Sequence, residues 1–206
     1  MLEPRPHRLR RRFVDRPAPV PDAAEDLRFI RQTLERSSAF TAVSGWGIAG
    51  VGATALPAAW LAHRQSAPAI WLAIWLVEAV VAVTLALLTT YFKARRMHVP
   101  VTSAPGRRFV LSFLPPAAAA AALTAAMFLA GMSYLLPALW LLLYGASVIT
   151  AGAFSVPIVP AMGVCFMAAG LLALSASFSW AEALLAIGFG GLHLIFGVWI
   201  TRRYGG

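Results

Sequence analysis

Apolar residues in this chain gather into long runs rather than the period-two alternation of a half-buried strand. Six runs stand out, at residues 40–62, 69–92, 109–130, 135–154, 156–176 and 181–201. Each is close to the ~20 residues an α-helix needs to cross ~30 Å of hydrocarbon. Inside lipid every backbone N–H and C=O must find its partner within the protein, which favours the helix for such runs. The links are short, as at Met132-Ser133-Tyr134 between the third and fourth runs and around residues 156–160 between the fourth and fifth. Short links make consecutive helices antiparallel neighbours. The pattern predicts an all-α, polytopic transmembrane bundle of about six helices over residues 39–203. The uncharged link around Pro157 is where the count is most open to revision.

Ahead of the runs the pattern changes. Residues 1–21 carry Pro4, Pro6, Pro17, Pro19 and Pro21, which block a regular helix, and the cluster Arg8, Arg10, Arg11 and Arg12. They read as a disordered basic tail. No apolar stretch follows Arg11-Arg12-Phe13, so neither a twin-arginine nor a general secretory signal is expected there. Over residues 22–36, Leu27, Ile30 and Leu34 recur at helical spacing, and Asp22 with Glu25 forms a capping-box arrangement. An amphipathic interfacial helix within residues 22–38 is predicted, suited to the membrane surface or to a protein partner. Residues 204–206 form a short C-terminal tail.

Composition agrees with a lipid solvent. The chain is 60% hydrophobic and 12% charged, with a mean hydropathy of +0.74. Soluble domains are nearer half apolar and a quarter charged. The net charge of +9 by itself suggests nucleic acid. The basic residues, however, lie between apolar runs rather than along a stripe, which points to topology signals and anionic lipid headgroups instead. Nine arginines precede the first run. Lys93, Arg95, Arg96, Arg107 and Arg108 lie between the second and third, and Arg202 and Arg203 follow the sixth. With six spans these all fall on one side, and only Arg64 falls on the other. The positive-inside rule then places both chain ends in the cytoplasm; with Ala, Arg and Gly usage that has the look of a high-GC bacterium, a multi-pass protein of a bacterial inner membrane is expected. Arg95, Arg96, Arg107 and Arg108 are candidate anchors for lipid headgroups.

Candidate chemistry is sparse. Glu78 is the only acid well inside a run, and His193 the only histidine. A charged group at mid-bilayer costs roughly 2.5–3.5 kcal/mol on insertion scales, so such residues are functional candidates by default. Counting at 1.5 Å per residue puts Glu78, Tyr144 and His193 at one depth near mid-membrane, where a Glu78–Tyr144–His193 cluster can form. Such a cluster serves either as polar glue between helices or as a proton relay. Ala186, Gly190, His193 and Gly197 share one helix face whose small residues admit a neighbouring helix. Cys165 is the single cysteine, so no intrachain disulfide and no thiolate metal cluster is expected. Nucleotide-binding, zinc-protease and serine-hydrolase signatures are absent, and no catalytic residue, metal site or cofactor is assigned.

Three stretches taken together resemble a group of small uncharacterised bacterial inner-membrane proteins. They are Asp26-Leu27-Arg28-Phe29-Ile30 through Gly45-Trp46-Gly47, then Gly106-Arg107-Arg108-Phe109-Val110 with Phe113-Leu114-Pro115-Pro116, and Gly190-Gly191-Leu192-His193 through Arg202-Arg203-Tyr204-Gly205-Gly206. The resemblance implies a six-helix membrane protein and carries no activity, cofactor or site. The leading expectation is a non-enzymatic sensing, scaffolding or accessory component embedded in the lipid bilayer, with a protein partner at residues 22–38 and a possible homo-oligomer. The alternative is a small proton-linked permease or channel built on Glu78 and His193.

Overall fold

The computed structural model describes residues 26–30, 40–41, 43–98 and 102–204. Residues 26–30 are helical, with Leu27, Phe29 and Ile30 exposed. The predicted tail, the rest of the amphipathic segment and residues 205–206 lie outside the described residues.

The described chain is a bundle of antiparallel helices: α1 (Gly45–His63), α2 (Pro68–Arg96), α3 (Ala104–Leu129), α4 (Leu136–Gly152), α5 (Ile158–Ser175), α6 (Phe178–Ala186) and α7 (His193–Tyr204). A 3₁₀ turn, Ser133–Leu135, leads into α4. A π-helical segment, Ile187–Leu192, joins α6 to α7, so that Phe178–Tyr204 runs as one rod of 27 residues. Five rods are long and apolar enough to cross a membrane: Pro68–Arg96, Ala104–Leu129, Ser133–Gly152, Ile158–Ser175 and Phe178–Tyr204. The first predicted run also folds as a helix, of 19 residues, but falls outside that set. Four glycines dilute its apolar character and fit it for packing against other helices. The link at Pro157 is a genuine break, with α4 ending at Gly152 and α5 starting at Ile158.

Two boundaries differ from the apolar pattern. Phe40, Thr41, Val43 and Ser44 are not helical: α1 starts at Gly45, where the Ser44 hydroxyl accepts from the Gly47 amide at 3.2 Å. Helix α3 starts five residues before its apolar run, capped by Ser103 with Pro105 in its first turn. Arg107 and Arg108 therefore sit on a helix rather than in a link. Helix caps and chain ends set these boundaries, and hydropathy does not record them.

Close packing is concentrated in two helix pairs. Glycines recur seven residues apart in each partner: Gly45/Gly52 on α1, Gly190/Gly197 on the last rod, Gly145/Gly152 on α4 and Gly163/Gly170 on α5. A seven-residue spacing keeps a residue on one seam of two gently supercoiled helices. The seams are reciprocal. A methyl group added at Gly145 would sit 2.8 Å from the Gly163 carbonyl oxygen, and one added at Gly163 would sit 2.7 Å from that of Gly145. Likewise Gly45 faces the Gly197 carbonyl at 2.7 Å, and Gly52 faces that of Gly190 at 2.6 Å. Hydrocarbon lipid gives no hydrophobic drive for helices to associate, so backbone-to-backbone approach of this kind supplies the cohesion through dispersion contacts.

The other two rods attach more lightly. Helix α2 meets α1 at Glu78, which pairs with Thr54, while Trp71 and Trp75 pack on Trp140 of α4 and on Phe178 and Phe189 of the last rod; most of its other residues are exposed. Helix α3 lies on α4 and is tied to it by two polar contacts. Pro116 has no N–H to give the Ser112 carbonyl, and the Thr150 hydroxyl of α4 stands 2.8 Å from that oxygen instead. Trp140 Nε1 donates to the Thr124 hydroxyl at 2.8 Å.

Candidate functional site

The intramembrane polar residues resolve into two pairs rather than one cluster. Tyr144 Oη on α4 and His193 Nε2 on α7 lie 2.7 Å apart. With the ring proton on Nδ1, the tyrosine donates to Nε2; with the proton on Nε2, the histidine donates to the phenol oxygen. Aromatic rings enclose the pair. Tyr144 meets Phe166 at 4.8 Å, Phe189 at 5.0 Å and Phe113 at 6.0 Å between centroids. His193 stacks on Phe189 at 5.9 Å and takes Phe166 edge-on at 5.3 Å. Only 2% of His193 is exposed, its Nδ1 closes no hydrogen bond, and its ring lies beside the backbone of Gly188 and Phe189.

The local chain explains this placement. The π-helical segment ends where His193 begins; Gly190 and Gly197 turn toward α1, and the His193 Cβ lies beside Gly52 while its ring reaches Tyr144 on α4 and Phe166 on α5. Single π turns recur at functional sites because they re-aim one side chain without ending the helix. Here the turn sets Phe189 flat against the histidine ring.

Glu78 belongs to the second pair. Its Oε1 lies 2.8 Å from the Thr54 hydroxyl of α1. The single Thr54 proton also has the carbonyls of Val51 and Gly50 in reach, at 3.0 and 3.3 Å. Helix α1 separates the two pairs. Gly47, Gly50 and Thr54 face α2, whereas Gly45, Ala49 and Gly52 face α7. At 100° per residue these are opposite sides of one helix, about 10 Å across with side chains. Equal depth was legible in the sequence, but the rotation of α1 between the two groups was not.

Further polar contacts lie at the two ends of the bundle. At one end Lys93, 6% exposed, donates through Nζ to the Val43 carbonyl at 3.1 Å and the Tyr204 carbonyl at 3.4 Å. Nearby, the Phe40 amide donates to Phe154 O at 2.7 Å, and the Ser155 hydroxyl donates to Phe40 O at 2.8 Å. The residues leading into α1, the α4–α5 link and the end of α7 are thereby joined at one end. Arg95, Arg96, Arg107, Arg108, Arg202 and Arg203 stand exposed at that same end. At the opposite end Glu182 accepts from Trp71 Nε1 at 2.6 Å and lies 3.2 Å from His63 Nδ1. Trp71 stacks on Trp140 at 5.4 Å, and Arg64 sits 3.9 Å over the Trp60 ring.

Sequence reasoning counted Lys93 among the link charges and gave Glu182 no role. A signal for Glu182 was present: beyond residue 36 the chain has no acids except Glu78 and Glu182. Cys165 lies exposed on α5. Among the described residues no group of three or more His, Cys, Asp or Glu side chains could hold a metal ion.

No family model matches the chain, and neither a curated protein nor a solved structure shows detectable similarity to it.

Proposed function

We propose that the protein is a non-enzymatic scaffolding or accessory component of a bacterial inner membrane. In this reading it crosses the bilayer six times, with both ends in the cytoplasm, and presents residues 22–38 to a protein partner. The observation that carries the reading is the Tyr144–His193 contact: a polar pair between α4 and α7, walled by Phe113, Phe166 and Phe189. A pair so enclosed clasps two helices together. Glu78 is likewise engaged by Thr54 on the neighbouring helix. The joining of Phe40, Ser155, Lys93 and Tyr204 at the basic end supports orientation and role together, because the lead enters the bundle on the side the positive-inside rule assigns to the cytoplasm.

A photo-reactive residue placed at Phe29 tests the reading in native membranes. A discrete cross-linked product containing a second protein, lost when residues 22–38 are scrambled, is the expected result. Cross-links to lipid alone would contradict it.

One observation favours the permease reading, namely the unpartnered Nδ1 of His193 beside the π turn. Against it stands α1, which separates Glu78 from His193. Flux measurements in proteoliposomes decide between the two.

A further inference from the structure

A groove of about 490 Å³ runs along the outer face of α7, lined by Leu194, Ile195, Val198, Trp199 and Arg202. Ile195, Val198, Trp199 and Arg202 are exposed on the flank beside the glycine seam with α1, and Leu194 borders that seam, its amide nitrogen facing Gly52. The groove wall is apolar until Arg202, which closes it at the basic end of the bundle. Phe196 is buried and stacks on Trp199 at 6.0 Å, which fixes the indole as a standing wall. From Leu194 to Arg202 is eight residues, about 12 Å of helix, somewhat less than one leaflet of ~30 Å hydrocarbon.

Charge selects the occupant. Of the eight lysines and arginines in residues 40–206, seven stand at this end, and Arg64 stands at the other. The two side-chain carboxylates of the same residues lie elsewhere, Glu78 within the bundle and Glu182 at the opposite end. The groove is thus an open apolar depression along one helix with a cation at its end, in a cationic surround. We propose that it holds one anionic phospholipid, with an acyl chain along Leu194, Ile195 and Val198, the glycerol backbone at Trp199, and the headgroup phosphate on Arg202. A planar guanidinium suits a phosphate bidentately, and an interfacial tryptophan suits the boundary between chain and headgroup. The inference needs the protein to be membrane-embedded and does not depend on the scaffolding reading or on a partner.

The test uses the full-length protein in mixed nanodiscs of phosphatidylglycerol and phosphatidylcholine, released gently into a native mass spectrometer. Wild type should keep one phosphatidylglycerol in preference to phosphatidylcholine. Arg202→Gln should lower that retention about five-fold, corresponding to ~1 kcal/mol per basic contact with an anionic surface. Val198→Trp, which fills the groove and leaves every charge in place, should lower it at least as much. Arg64→Gln removes one charge at the far end and should leave retention unchanged. Thermal midpoints measured alongside show whether each variant is folded; a misfolded Val198→Trp is replaced by Leu194→Phe. Equal loss in Arg64→Gln and Arg202→Gln, or equal retention of the two lipids, would overturn the proposal. So would a protein dimer whose mass disappears in Val198→Trp, since a second copy would then be what covers the groove.

Discussion

The α4–α5 pair and the flanking helix α3 are both apolar, membrane-length helices, yet they are held in opposite ways. Half of the best apolar window of α4 is buried inside the protein, and 39% of that of α5. For α3 the figure is 6%, and for α2 17%. Hydropathy does not separate these classes, because lipid and protein interior are equally apolar. Glycine does. The pairs that meet backbone to backbone carry glycines seven apart on both partners, whereas α2 has no glycine and α3 only Gly106 in its first turn. Without glycines of their own to interlock, α2 lays Thr89 and Leu85 over Gly47 and Gly50 of α1 and pairs Glu78 with Thr54, and α3 is tied to α4 through Thr124 with Trp140 and the Ser112 carbonyl with Thr150.

The sharpest way to break this contrast is to overfill a seam. Gly145→Leu drives a branched side chain into the Gly163 backbone and should cost about 1–3 kcal/mol or more, as overpacking of a tight core does. Val83→Leu, on the open face of α2, should stay within about 0.5 kcal/mol of wild type. Unfolding titrations in mixed micelles measure both, and equal effects would mean that the glycine seams hold nothing special. Next comes the enclosed polar pair. A double-mutant cycle with Tyr144→Phe and His193→Leu should return a coupling near the upper end of the roughly 0.6–1.7 kcal/mol seen for interhelical hydrogen bonds in membranes. The flanking pair should be weaker. Thr54→Val should cost about 0.6 kcal/mol, because Thr54 divides one proton among three oxygens and α2 can shift. The smallest effect belongs to the lipid-facing surface. Cys165→Ser should leave stability within about 0.5 kcal/mol of wild type in the same titrations.

Much of the fold was legible because its main determinant, run length, is written directly in the chain. The short links fixed which helices are antiparallel, and the face shared by Gly190, His193 and Gly197 was readable from spacing. The π-helical segment at Ile187–Leu192 was not, since it stores one extra residue in a turn whose composition is ordinary for a membrane helix. The depths of Tyr144 and His193 put them within reach of each other, and they touch. Glu78 shares that depth but sits behind α1, because depth depends on residue count alone while contact also depends on how each helix is rotated. Lys93 and Glu182 were hidden for a related reason. A charge near the end of a run looks like a topology marker until the carbonyls of Val43 and Tyr204, or the indole of Trp71, are seen beside it.

The claim that the intramembrane polar pairs clasp helices, rather than carry protons, is tested most directly by pH-gradient dissipation. The full-length protein is reconstituted in proteoliposomes, and wild type is compared with Glu78→Gln and His193→Gln at matched folded fraction. If the pairs are clasps, the three preparations dissipate the gradient no faster than empty liposomes, and the variants differ from wild type in unfolding midpoint alone. A protein-dependent proton flux that either substitution abolishes while leaving the unfolding midpoint unchanged would contradict the claim and establish the permease reading.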